Sequence, residues 1–100
     1  MDLYLRSVKE AGDPADQCRE IGVVVGDTIT GRESGCTYWH EARLTLLWLG
    51  ETEAVWREQS RTNAHPDWSE PHEAVNWTLA CRRWRKTPNY RAEVQKAAQR

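Results

Sequence analysis

A chain of 100 residues is the size of one compact domain, which can bury a single core without metal or disulfide staples. Its apolar fraction of 39% is low for a globular domain, but six Trp and no Phe indicate that a few large rings supply the buried surface. A net charge of −1 excludes a uniformly basic coat for nucleic acid and an acidic mimic of DNA.

Residues 1–20 predict a short N-terminal strand followed by a mobile loop. Residues 3–8 alternate in the manner of a strand, and 10–20 are rich in Gly, Asp and Pro. The stretch has neither a basic start nor a long apolar run, so we expect no signal peptide and no membrane contact. Three Cys at unpaired spacings favour a reducing compartment, and we expect a cytoplasmic protein.

The next apolar stretch predicts a strand that begins at Ile21, bends at Gly26 and continues to Thr30, or two short strands in its place. Gly31 to Gly35 is expected to end it. Residues 37–39 are β-favouring and lead into the following strand.

A hairpin in the stretch RLTLLWLGETEAVWR, from Arg43 to Arg57, is the strongest signal in the chain. One face of its first strand carries Leu44, Leu46 and Trp48. Because the other face is largely apolar too, the pattern predicts a central strand. A turn at 50–52 then leads into a second strand at 54–56.

The residues after the hairpin predict a polar crossover loop over 58–71 and a single helical turn over Glu70 to Val75. Residues 76–86 fit either a strand or a continued helix. As a strand, which we favour, they place Trp77 and Leu79 inward and require a bulge before Trp84. A cap at Thr87 and Pro88 predicts a C-terminal helix over 88–99.

Together these elements predict one mainly β (α+β) domain over 1–100. Its core over 21–86 is expected to be a small SH3-like barrel of about five strands, with a short C-terminal helix. The passage VVGDTI, from Val24 to Ile29, resembles the opening of many SH3-like barrels.

Two further passages, LTLLWLGETEAVWR and EAVNWTLACRRWR, resemble small accessory proteins encoded by tailed bacteriophages of GC-rich bacteria. The resemblance covers roughly residues 26–86, and eleven Arg against three Lys agree with a GC-rich genome. It implies a protein of the class to which phage inhibitors of host enzymes and immune systems belong. Because it includes no motif of known chemistry, no functional residue is transferred from it.

Metal and catalytic patterns are weak in this sequence. Cys36 and His40 have a plausible ligand spacing, and His65 and His72 could join Cys81, but neither set has a recognised finger pattern. The Cys residues are better explained as small buried groups. No glycine-flanked nucleophile or phosphate-binding loop is present, so we expect no enzyme activity, no metal and no cofactor.

The most informative stretch for function is CRRWRKTPNYR, from Cys81 to Arg91, which combines basic and aromatic side chains. Such residues can neutralise phosphates and stack on unpaired bases. The alternative is that Trp84 lies in the core and the Arg residues only solvate a strand. The candidate binding residues from this stretch are Arg82, Arg83, Trp84, Arg85 and Tyr90, and Trp68 in the preceding loop is the aromatic residue most expected at the surface.

Charge is divided along the chain: residues 1–60 hold eleven acids and six bases, and 61–100 hold four acids and eight bases. A partner for the basic part is therefore expected, and association of two copies is the other outcome of such polarity. The first hypothesis is a non-catalytic phage accessory protein in the cytoplasm of the bacterial host, which binds a host protein for takeover or anti-defence. The alternative is binding of RNA or single-stranded DNA through residues 81–91.

Overall fold

The computed structural model describes residues 3–4, 12–79 and 82–87, and within them the chain is mainly β, as predicted. One antiparallel sheet of six strands has the order β1-β6-β2-β3-β4-β5, with β1 and β5 at its open edges. The elements are β1 (Leu3–Tyr4), α1 (Pro14–Ile21), β2 (Thr28–Ser34), β3 (Trp39–Leu49), β4 (Ala54–Thr62), β5 (His72–Val75) and β6 (Arg83–Lys86).

The predicted hairpin is confirmed, and β3 is a central strand paired with β2 on one side and β4 on the other. Its second strand is longer than predicted, because β4 continues to Thr62 and residues 58–62 pair with residues 40–44. The loop prediction for 58–62 is therefore wrong. The polar side chains that suggested a loop belong to a strand with one solvated face.

The N-terminal loop prediction is also wrong, because residues 14–21 form the helix α1. Pro14 occupies the first turn, where its missing N–H costs nothing, and Gly22 ends the helix in the left-handed conformation with φ 77°. Ala15, Cys18 and Ile21 form the buried stripe. Ile21 thus ends a helix and does not begin a strand. No helix in the described part of the chain is long and apolar enough to cross a membrane.

The region after the hairpin differs from prediction in two places. His72–Val75 is the edge strand β5 and not a helical turn, since it pairs with 55–58 of β4. Among the described residues of 76–86, the strand prediction holds only for Arg83–Lys86, and Asn76, with φ 59°, follows the end of β5. Cys81, Tyr90 and the helix predicted over 88–99 lie outside the described residues.

The core lies between the sheet and α1 and is organised around two fully buried rings, Trp56 and Trp84. Trp84 donates its indole N–H to the Leu79 carbonyl at 2.9 Å and meets the Trp77 ring edge-on at a centroid distance of 5.8 Å. Gly31, opposite Trp84 in the register, leaves the space that this ring fills. A Cβ on Gly31 would lie 2.7 Å from the ring carbon Cε3.

We therefore expect Gly31→Ala to destabilise the fold by about 1–3 kcal/mol, because the Trp84 ring is enclosed and must shift. Gly35→Ala is the matched control, since a Cβ there would meet only the Tyr38 carbonyl oxygen at 3.8 Å, and its effect should stay within about 0.5 kcal/mol. Urea unfolding measures both. Equal stability of the two variants would contradict this packing.

The two described Cys should differ in reactivity. Burial raises the pKa of Cys18 to about 11, whereas Cys36 is exposed in the β2–β3 turn and not buried as the sequence suggested. Since the thiolate is the nucleophile, iodoacetamide at pH 8 should alkylate Cys36 in the folded protein and Cys18 only after denaturation, as peptide mass spectrometry would show. Rapid labelling of Cys18 in the native state would contradict its burial.

Candidate functional site

The face of the sheet turned away from α1 carries a group of Arg side chains. Side chains alternate between the two faces of a strand, so the residues next to each buried position point outward. Four strands contribute to this group, which we call the Arg face: Arg32 of β2, Arg43 of β3, Arg61 of β4, and Arg83 and Arg85 of β6.

Strand register arranges the Arg face in two rows that run across the strands. The first row consists of Arg83, Arg32, Glu41 and Arg61, each directly opposite the next. The second consists of Arg85, Thr30, Arg43 and Gln59. Neighbouring strands are about 4.8 Å apart, so each row spans about 14 Å. Like charges directly opposite each other, as at Arg32 and Arg83, lower the stability of the folded sheet.

Glu41 is the one acidic residue in these rows, and its side chain is 7% exposed. Arg61 Nε donates to its Oε1 atom at 2.7 Å, and Arg61 Nη2 forms an ion pair with the same oxygen at 2.6 Å. Arg32 Nε lies 3.7 Å from Oε2. The carboxylate therefore fixes the direction of Arg61, because two nitrogens of one planar guanidinium lie against the same oxygen, one of them as a hydrogen-bond donor.

Two Trp rings stack with the guanidinium groups of the Arg face. Arg43 and Arg61 lie 4.4 Å and 4.5 Å from the centroid of Trp68. Arg32 and Arg61 lie 4.4 Å and 5.8 Å from that of Trp39. Arg61 thus contacts both rings and the Glu41 carboxylate, and stacking of this kind stabilises cations within a group of like charge.

Trp68 reaches this position because its loop folds back onto β4. Ser69 accepts a hydrogen bond from the Ser60 amide at 3.0 Å and donates its own amide to the Ser60 carbonyl at 2.8 Å. Gln59 Nε2 donates to the Ser69 carbonyl at 3.2 Å. Trp68 is consequently half-buried and not exposed at a loop tip as the sequence suggested.

The structure brings three of the predicted binding residues to one surface: Trp68, Arg83 and Arg85. Trp84 is fully buried, which corrects its prediction as a surface ring. Arg82 also lies on the core side of the sheet, where its side chain is 10% exposed and pairs with Glu33 at 3.0 Å. Because side chains alternate along β6, the even-numbered residues face the core and Arg83 and Arg85 face outward.

Sequence reasoning missed Arg32, Arg43 and Arg61 as members of the site. The alternation of side chains along a strand could have identified Arg32, because Thr30 and Arg32 alternate with the buried Ile29 and Gly31 and so share the outward face. The assignment of 58–62 to a loop removed Arg61 from the same face. The two rows depend on pairing between distant strands, which no local pattern contains.

The Arg face has the chemistry of a site for anions. The two rows hold five guanidinium groups and one carboxylate, and a cavity of about 460 Å³ is lined by Thr30, Arg32, Glu41, Arg61, Arg83 and Arg85. Within the described residues, Arg85 forms no ion pair, so its charge is available to a ligand. In the same part of the chain, no three His, Cys, Asp or Glu side chains lie close enough to bind a metal ion.

The buried ion pair of Arg61 and Glu41 should contribute more to stability than Arg85 does. Arg61→Ala leaves a carboxylate almost out of water with a single guanidinium at 3.7 Å, so we expect a loss of about 1–3 kcal/mol. Arg85→Ala should change the free energy of unfolding by less than about 0.5 kcal/mol. Urea unfolding measures both, and equal losses would contradict the central role of Arg61.

No protein-family model, curated protein or solved structure matches the chain. The assignment of the site therefore depends on its own geometry and charge.

Proposed function

We propose that this protein binds single-stranded nucleic acid, RNA or DNA, through the Arg face, without catalysis. The observation that carries the proposal is the concentration of five Arg residues from four strands in two adjacent rows on one face of the sheet. A phosphodiester chain presents one negative charge per nucleotide, and guanidinium groups bind phosphate oxygens in a bidentate manner. Two rows of such groups, about 7 Å apart along the strands, suit consecutive phosphates.

Several features favour a single strand over a duplex. The Arg face is part of an open sheet surface, and sheet surfaces that carry aromatic side chains are a common platform for unpaired bases. Sequence-specific contacts are not required, because charge and stacking are tolerant of base identity. We therefore expect the affinity to depend little on the base sequence of the strand and to fall as the salt concentration rises.

The hypothesis of a host-protein inhibitor from a phage stays a prediction. Of the anchors it relied on, Trp84 is buried and Trp68 is covered by two guanidinium groups. An apolar interface needs exposed rings at its centre, so the geometry of the Arg face favours a polyanion. An acidic segment of a protein is the other ligand with this charge, and the test below distinguishes it.

An SH3-like barrel is proposed as the finer description of the fold. Its support is the strand order, in which β2 to β5 form an antiparallel meander and β6 returns to lie beside β2. In this arrangement the last strand brings Arg83 and Arg85 to the same surface as the meander. The fold and the proposed site are thus linked by the position of β6.

Binding of a labelled oligothymidylate of about ten nucleotides, measured by fluorescence anisotropy, tests the proposed function. The logarithm of affinity should fall linearly with the logarithm of salt concentration, by about 0.7 for each phosphate contact. Arg85→Gln should weaken binding and reduce that slope by about one contact. Lys86→Gln removes one positive charge from the core side of β6, where Lys86 donates to the Gly22 carbonyl at 2.8 Å, and it should leave both unchanged.

Three results would contradict the proposal: no binding at low salt, equal effects of Arg85→Gln and Lys86→Gln, or tighter binding of a duplex. Polyglutamate of similar charge is the comparison for an acidic protein. If it binds more tightly than the oligonucleotide, the host-protein hypothesis is favoured.

A further inference from the structure

A third Trp ring lies on the same face of the sheet, beyond the Arg face and at the end of β3. Trp48 is opposite Val55 of β4, and Val55 is opposite Val75 of β5. Val55 precedes Arg57, Gln59 and Arg61 on the outward side of β4, so this apolar row continues the surface of the Arg face. Trp48 is 52% exposed and Val75 is 58% exposed.

A β-bulge turns Trp48 to this surface. Strict alternation would place Trp48 on the core face with Leu44 and Leu46, which are both fully buried. The register between β3 and β4 shifts between Leu46 and Trp48, so that Leu46 pairs with Trp56 and Trp48 with Val55. Bulges of this kind redirect a side chain and are common beside functional sites.

The exposed ring is held in place by the turn that follows it. A Cβ on Gly50 would overlap the Trp48 ring, so the indole packs against the backbone at Gly50. This backbone is itself fixed, because Arg19 of α1 donates to the Gly50 carbonyl at 2.7 Å and Gly50 donates to the Glu53 carbonyl at 2.8 Å. Trp48 therefore presents apolar surface to solvent from a defined position.

Trp48 differs from the two Trp rings of the Arg face in what covers it. Trp39 and Trp68 each stack with two guanidinium groups, whereas no described Arg or Lys lies over Trp48. Trp48, Val55 and Val75 lie side by side as a contiguous apolar patch, and such patches mark sites of interaction. Its continuity with a cationic surface favours a ligand that is both anionic and aromatic.

We propose that Trp48, flanked by Val55 and Val75, is the stacking platform for an unpaired base of the polynucleotide whose phosphates bind the Arg face. This inference rests on the proposed function. Along β4, the row of Val55 lies about 20 Å from the row of Arg61, a distance that a few nucleotides span. Every base has an aromatic face, so Trp48 adds affinity without sequence preference.

The test compares oligothymidylate of about ten nucleotides with inorganic polyphosphate of similar charge, which has no bases. Trp48→Leu keeps an apolar side chain and removes the ring, and it should weaken oligothymidylate binding by about 5- to 100-fold while polyphosphate binding stays unchanged. Trp48→Phe keeps a ring and should retain most of the affinity. Circular dichroism confirms that each variant is folded.

A second measurement uses the unaltered protein. An oligonucleotide that carries 5-bromouracil should cross-link under ultraviolet light to the peptide that contains Trp48, and cross-links confined to other peptides would overturn the inference. Unchanged oligothymidylate binding by Trp48→Leu would overturn it as well, while the proposed function stands. If the unaltered protein binds neither polyanion, the proposed function fails and the inference fails with it.

Discussion

The packing of Trp84 into the space above Gly31 is the contact on which the rest of the structure depends. It joins the last described strand, β6, to β2 and closes the core over Leu79 and Trp77. Because a strand alternates its side chains, an inward Trp84 forces Arg83 and Arg85 outward. One buried ring thus sets both the position of β6 and the charge of the opposite surface.

That opposite surface is stabilised by Arg61, which connects the cations to one another. It forms a hydrogen bond and an ion pair with Glu41 and stacks with Trp39 and Trp68. These contacts offset part of the repulsion between guanidinium groups on neighbouring strands. Arg85, which forms no ion pair with a described residue, keeps a charge that a polyanion can neutralise.

Trp48 shows how a local irregularity changes the character of a surface. The bulge before it moves a large ring from the core side to the solvated side, where its apolar area is left uncovered by described cations. The same face therefore has a cationic part and an apolar part, held on one rigid sheet. Because these side chains are already held in position, less conformational entropy is lost when a ligand binds. A small number of contacts can then give a higher affinity.

The sequence by itself determined the mainly β class and the central hairpin, because alternation, turn residues and β-branched content are local properties. It also identified Arg83, Arg85 and Trp68 as candidates. It failed where composition was ambiguous: the Gly, Asp and Pro residues of 10–20 suggested a loop, but Pro14 begins a helix, and the polar residues 58–62 suggested a loop but form a strand. The basic stretch left open whether Trp84 lies in the core or at the surface, and it did not indicate that Arg82 lies on the core side.

Only the tertiary structure decided which cations meet. Arg32, Arg61 and Arg83 are far apart in the chain, and they form one row because three separate strand registers align them. The bulge that exposes Trp48 is likewise a property of how β3 pairs with β4. Pairing between distant strands reflects the packing of the whole core, including the fit of Trp84 against Gly31, and no window of the sequence contains that information.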